Sequence, residues 1–230
     1  MQLPDIGQRP GDRGGGGHFR ADKMSAHARA LPSDKIAVGG GLPNGVIDLD
    51  ADPGENIREL AKAKSCETRD IVACILSRPR HEEMIAKVRE AGASIRLIPD
   101  GDVAGVIATA TPMTGIDIYM GTGGAPEGVL AAAALRSTGG QMQGRLVFRN
   151  DDERTRAHRV GIEDLSAKYN LDQLASGDVI FTATGVTDGW MLEGVHRDGD
   201  AVTTHSLVMR SKTGTVRWIK ARHAAGKVNS

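Results

Sequence analysis

Residues 1–33 (MQLPDIGQRPGDRGGGGHFRADKMSAHARALPS) mix Gly, Arg, Asp, His and Pro with no apolar period. Such a segment cannot bury enough apolar surface to offset the entropy of ordering it, and a disordered or unrelated tail is expected there. The pattern changes at Asp34. KIAVGGGLPNGVIDLD reads as a short strand, a glycine turn and a second strand. From Asp52 to Lys64, apolar Ile57, Leu60 and Ala61 recur at helical spacing behind a candidate N-cap, Asp52, and a first-turn Pro53. Asp70 to Leu76 (DIVACIL) is a continuous apolar run between turn signals, which predicts a buried strand. Ser77 to Ala91 predicts a second helix, with Pro79 in its first turn, Met84, Ile85 and Val88 on one face, and Gly92 at its end. Ser94 to Ile98 (SIRLI) is the next strand, and strand, helix, strand in this order favours a parallel crossover.

Further along, DGDVAGVIATATP leads into the apolar stretch GIDIYM, and the glycine turn GTGGAPEG opens a helix from Pro126 to about Ser137, stopped by Gly139 and Gly140. The run RNDDERTRAHR reads as a solvated helix or loop. The remainder alternates VIFTATGV, a turn, MLEGVHRDGD and TTHSLVMRSKTGTVRWI, with SKTG as the turn of a hairpin. The fold class is therefore mixed α/β, an α+β layered sandwich.

Composition narrows the possibilities. Glycine contributes 30 of 230 residues, nearly twice the usual share of roughly 7%, so many loops with special backbone geometry are expected. The 29 basic and 29 acidic side chains cancel, which argues against a nucleic-acid binder that relies on a globally basic surface. Cys66 and Cys74 lack a CxxC or Cys/His pattern and read as a reduced, buried pair rather than redox or zinc ligands. No stretch approaches the ~20 apolar residues of a membrane helix, and no signal-peptide pattern opens the chain, so no membrane partner and a cytoplasmic location are expected.

Three segments could carry chemistry. In GTGGAPEGVLAAAALR, residues 121–136, a glycine loop running into a helix N-terminus presents backbone N–H groups and the positive end of the helix dipole to an anion. Pro126 and Glu127 are also good helix-start residues whatever the function. The segment is neither a Rossmann GxGxxG nor a P-loop. Asp100-Gly101-Asp102 follows the SIRLIP strand, where carboxylates could hold sugar hydroxyls or a hard cation, or could simply make a turn. Arg78-Pro79-Arg80 follows a buried strand, where two guanidiniums suit a phosphate or just face water at the start of a surface helix. His81, His158 and His205 lack a partner at usable spacing and read as structural or surface residues. Lys35 and Lys212 could contact phosphate, although lysines on polar turns usually face solvent. Ala131 to Ala134 reads as a closely packed helix face.

Taken together, GGAPEGVLAAAALR, GGQMQGRL, DGDVAG, RPRH, TATGVTDG and THSLVMRSKTGTVR closely resemble the class II fructose-1,6-bisphosphatases of bacteria, from about Lys35 to His223. The resemblance implies the sugar-phosphatase fold shared with inositol monophosphatases. It also implies Mn²⁺- or Mg²⁺-dependent removal of the 1-phosphate of fructose 1,6-bisphosphate in gluconeogenesis, with sedoheptulose 1,7-bisphosphate a further substrate of some relatives. Carried over, Glu127 is the catalytic metal-ligand carboxylate, and Arg78, Pro79, Arg80, Asp100, Gly101, Asp102 and Gly124 match substrate-binding positions. The domain expected on this basis spans residues 34–223, with a short tail over 224–230. Family members carry a further N-terminal portion with more metal carboxylates, including an Asp-Pro-Ile/Leu-Glu-Gly-Thr motif that does not occur in this sequence. Leu31, Pro32 and Ser33 replace a usual Tyr-Met, Ser77 stands where aspartate is more usual, and Ser137 where cysteine is common. The expected fold is thus an incomplete version of the family's. Its alternatives to a working phosphatase are a truncated, inactive sugar-phosphate-binding fragment and one half of a split enzyme. A homo-oligomer, or a partner supplying the N-terminal half, fits the same reading.

Overall fold

Among the described residues, the first strand starts at Pro32 rather than Asp34. Leu31 is buried, and β1 (Pro32–Val38) already includes a fully buried Ser33. The computed structural model describes residues 31–159 and 161–224, so residues 1–30 of the tail expected over 1–33, and residues 225–230 of the tail expected over 224–230, lie outside the described residues. The second strand expected after the glycine turn does not form. Val46 and Ile47 are buried there, but the loop finds its backbone partners in side-chain amides rather than in a neighbouring strand. Gln143 accepts from Leu49 N at 2.8 Å and donates to Ile47 O at 3.1 Å, while Asn56 accepts from Asp48 N at 2.8 Å. Backbone groups satisfied in this way have no need of a sheet ladder.

α1 (Pro53–Lys64) starts as its sequence predicts, with the Asp52 side chain accepting from Gly54 N. β2 (Val72–Leu76), α2 (Glu82–Glu90) and β3 (Ser94–Ile98) follow, and β2 and β3 pair in parallel as expected of the crossover. α2 is shorter than predicted because Pro79–His81 form a separate 3₁₀ turn. The DGDVAGVIATATP stretch contains α3 (Asp102–Ala108), a helix buried along its whole length and therefore without the polar face that would have marked it in the sequence. Next come β4 (Ile118–Gly124), α4 (Ala125–Arg136), β5 (Gln141–Leu146), the charged α5 (Asp151–Arg159), and the short β6 (Tyr169–Asn170) and α6 (Leu171–Leu174). The last part is all strand: β7 (Ile180–Thr184), β8 (His196–Asp198), and the hairpin β9 (Ala201–Arg210) and β10 (Thr215–Ala224), turned at Ser211–Gly214.

Two sheets result, one of six strands in the order β3-β2-β4-β1-β5-β6 and one in the order β10-β9-β7 with β8 beside β9. Strand alternation sorts the core into two sides. Ile36, Val38, Ala73, Ile75, Ile118 and Met120 pack with Ile57, Leu60 and Val88 of α1 and α2. Ala37, Cys74, Leu76 and Tyr119 face the other way and share a core with α3, α4 and the inner face of the second sheet, through Phe181, Ala183, Leu207 and Met209. The layers are α1/α2, six-stranded sheet, α3/α4 and second sheet, a mixed α/β sandwich of the class expected.

Candidate functional site

β2, β3 and β4 run parallel, so all three end at one edge of the large sheet, and the antiparallel β1 begins there. This edge gathers the segments Arg78-Pro79-Arg80, Asp100-Gly101-Asp102 and Gly124 to Glu127 from distant parts of the chain. In α/β sheets such a C-terminal edge is where ligands bind.

The centre of the edge is a buried charge pair. Lys35 shares strand parity with Ala37 and points to the α3/α4 side, where its Nζ donates to Asp102 Oδ2 at 2.5 Å and to the Gly124 carbonyl at 2.9 Å. Both side chains are almost wholly enclosed, at 1% and 5% exposure. The Glu127 carboxylate accepts from Gly124 N at 3.1 Å, so the Gly124 residue is held on its carbonyl by Lys35 and on its N–H by Glu127. Gly123 must lack a side chain, because a Cβ would lie 2.2 Å from Asp102 Oδ2 and 2.9 Å from Lys35 Nζ. Burial and the nearby Asp102 carboxylate push the Glu127 carboxyl above the usual range, offset by the Gly124 N–H and Lys35. A carboxylate made costly in this way is poised to gain from a cation.

At the same strand ends, His81 joins β2 to β4. Its Nδ1 donates to Leu76 O at 2.8 Å and its Nε2 accepts from Thr122 N at 2.9 Å, which fixes the neutral tautomer. Burial lowers its pKa, consistent with that state. Thr122 Oγ1 donates to Asp34 at 2.5 Å, and Arg80 donates to the Thr122 carbonyl at 2.6 Å. The exposed Arg80 is therefore tied to the end of β4, close to the glycine loop. Arg78 turns elsewhere. It bonds its neighbour's carbonyl, Ser77 O, at 2.9 Å and lines a separate open cavity of about 450 Å³ with Glu82, Arg89 and Leu97. Asp100 and Asp102 also diverge: Asp102 is consumed by Lys35, whereas Asp100 is exposed and accepts only from Gly101 N, at 2.7 Å, among the described residues.

The structure therefore brings Gly124, Glu127 and Asp102 together, with Arg80 tied to the same strand end. It sets Arg78 with Pro79, and Asp100 with Gly101, beside two flanking cavities. Lys35 is the member whose setting the sequence reading underrated. The usable signal was its parity with Ala37 in a strand with two buried faces. His81 has the structural role expected of it, and His158 is exposed. Among the described residues no group of three or more His, Cys, Asp or Glu side chains is arranged to hold a metal ion. Asp102 is paired with Lys35, which leaves Glu127 as the carboxylate of this cluster without a cationic partner within hydrogen-bond distance among the described residues.

Comparison with known proteins gives the cluster its context. The family model for bacterial, glpX-encoded fructose-1,6-bisphosphatase matches residues 20–223. Among curated relatives, fructose-1,6-bisphosphatase 1 class 2 of Escherichia coli K12 is 38% identical over 203 residues, covering 83% of this chain and 60% of the relative. The class 2 enzymes of E. coli O6:H1 and Shigella flexneri match to the same extent. The chain thus spans about 60% of the length of the curated relatives it matches. With the family pattern extending over both sheets and every loop of the strand-end cluster, this chain belongs to the bacterial, glpX-encoded fructose-1,6-bisphosphatase family.

Proposed function

We propose that this chain serves the hydrolysis of the 1-phosphate of fructose 1,6-bisphosphate, giving fructose 6-phosphate, in the cytoplasm. The observation that carries this reading is the Gly123–Glu127 turn, pinned by Lys35 at the edge where three parallel strands end, in a chain of this family. In this reading Glu127 is the catalytic carboxylate and a ligand for Mn²⁺ or Mg²⁺. Arg80, Asp100, Gly101 and Gly124 border the sugar bisphosphate, and Arg78 and Pro79 would reach it only by turning from the neighbouring cavity they line. Asp102 acts through Lys35 rather than on the substrate directly. When bound, the cation would neutralise phosphate oxygens and lower the pKa of an attacking water. The described residues do not assemble a complete site for it. What they can do is position: Arg80 offers a charge-assisted contact to a phosphate, and the fixed Gly124 peptide sets the direction of Glu127.

The same incomplete acidic cluster favours a second reading, in which this chain by itself binds sugar bisphosphates without hydrolysing them. Phosphate release from fructose 1,6-bisphosphate with added Mn²⁺ or Mg²⁺ separates the two. A working phosphatase releases phosphate at least about a hundredfold faster than its Glu127→Ala variant, more than the loss of an outer-shell partner costs. Equal, background release by both, together with calorimetric binding of the bisphosphate, establishes the binding-only reading. No binding at all overturns both.

A further inference from the structure

Tyr119 is fully buried, yet its hydroxyl has no hydrogen-bond partner among the described residues. A buried phenol normally finds one. The ring has no freedom to turn towards another partner, because it is clamped between β4 and α3, where a Cβ at Gly105 would stand 2.8 Å from its Cδ2 atom. Its tip lies over Gly121, where a Cβ would be 3.5 Å from the hydroxyl oxygen. Two residues on, a Cβ at Gly123 would meet Asp102 Oδ2 at 2.2 Å and Lys35 Nζ at 2.9 Å. Gly121 and Gly123 share a face of β4, about 7 Å apart. Asp102 and Gly105 share a face of α3, about 5–6 Å apart. The phenol oxygen and the Lys35–Asp102 pair therefore occupy one gap, between the same strand and the same helix.

We infer that Tyr119 is a positioning residue of the strand-end site, its hydroxyl joined to Asp102 Oδ1 through one buried water. Both ends of the link are free: Asp102 gives Oδ2 to Lys35, and its Oδ1 accepts from none of the described residues. Lys35 has three N–H donors, and two of them are spent on Asp102 and the Gly124 carbonyl. A water in this gap accepts from Tyr119 and from the third Lys35 N–H and donates to Oδ1, which gives it the roughly three bonds of a buried water. Two such bonds of about 2.8 Å span roughly 5.5 Å between the oxygens they join. Burial and the adjacent Asp102 carboxylate push the phenol up, so it keeps its proton and acts as a donor. His81 also borders Gly121 but is no acceptor for Tyr119, because its Nε2 already accepts from Thr122 N. Through the link the phenol steadies Asp102, Asp102 sets Lys35, and Lys35 holds the Gly124 carbonyl at the start of the turn that carries Glu127. Its bearing on hydrolysis rests on the role proposed above for Glu127, whereas the link itself needs no substrate.

Tyr119→Phe keeps the ring and removes only the hydroxyl, so urea unfolding and native-state hydrogen exchange of the full chain test the link without any substrate, and their result stands apart from whether the chain binds the bisphosphate. In the wild-type background the substitution should raise the unfolding constant about tenfold, the size of one hydrogen bond to a charged group. In the Lys35→Met/Asp102→Leu background, where the hydroxyl has nothing to serve, it should leave that constant unchanged or lower it. The amide of Gly124, in a half-buried turn, exchanges by local opening. That exchange should quicken about tenfold in Tyr119→Phe and stay at the wild-type rate in Ile75→Val, a comparable loss placed in the α1/α2 core. A Tyr119→Phe variant as stable as the wild type, or more so, overturns the inference, since that is the mark of a hydroxyl buried without a partner. The same change in unfolding constant in both backgrounds overturns it as well. Gly124 exchange that is unaltered in Tyr119→Phe, or equally quickened in Ile75→Val, also overturns it, and this comparison uses single variants alone, so it decides even where the double background fails to fold.

Discussion

Lys35 and Asp102 are separated by 67 positions in sequence and meet at 2.5 Å in a space closed to solvent. Enclosing two charges costs several kcal/mol per ion, and a well-packed apolar pair in the same place is often no less stable. The pair is better understood through what it holds, the Gly124 carbonyl at 2.9 Å, and through it the turn that carries Glu127. Removing one partner leaves the other charge buried and unpaired. Lys35→Met should therefore lose about 3–5 kcal/mol of stability, while Lys35→Met/Asp102→Leu should recover more than half of that loss. Urea unfolding of the two single variants and the double variant measures the coupling. If the single losses simply add, the two side chains act independently and the pinning of Gly124 needs another explanation. Little of this was legible beforehand. The sequence marked Asp102 as a ligand or turn residue and Lys35 as a possible phosphate contact or solvent-facing lysine, because a long-range ion pair leaves no local pattern in either segment.

Local patterns were informative where an element carried a clear period or a short apolar run between turn signals. α1, β2, β3 and the β9–β10 hairpin lie close to their predicted spans, each with turn or cap residues at its ends. They failed in two places. α3 has no exposed residue to break its apolar run, and the loop after β1 buries Val46 and Ile47 yet is bonded through Gln143 and Asn56 rather than through a strand. α4 is the most informative case, because the predicted packed face at Ala131–Ala134 turns out to be the whole circumference. All four alanines are buried, with the large sheet and α3 on one side and β7 on the other. Four successive helical residues, at roughly 100° each, sweep almost the full turn. Alanine to leucine at each of the four positions should therefore destabilise, by about 1–3 kcal/mol apiece, since each inserts volume into a closed space. Chemical denaturation of the four variants tests this. A position that accepts leucine freely would show that one side of α4 is less tightly covered than the layered arrangement requires.

For the whole molecule the question is whether the layers stand or fall together, and the two cysteines can answer it. Cys66 is partly exposed near the end of α1, on the outer side of the first core cluster. Cys74 is 1% exposed at the middle of β2, within the cluster that runs from the large sheet through α3 and α4 to the second sheet. Burial pushes its thiol up to about 12, so it holds almost no thiolate at neutral pH, and no reagent can reach it without an opening of the structure. A disulfide-exchange reagent should accordingly titrate Cys66 alone in the native protein and both thiols in strong guanidinium. In a Cys66→Ser background, slow labelling of Cys74 then measures the free energy of whatever opening exposes it. Because its neighbours belong to three layers joined by one continuous core, that opening should be global. The labelling free energy should then equal the unfolding free energy extrapolated from urea. A markedly smaller value would mean that the sheet separates from α3/α4 while the rest stays folded, and the candidate site, built across that same boundary by Lys35 of β1 and Asp102 of α3, would open with it.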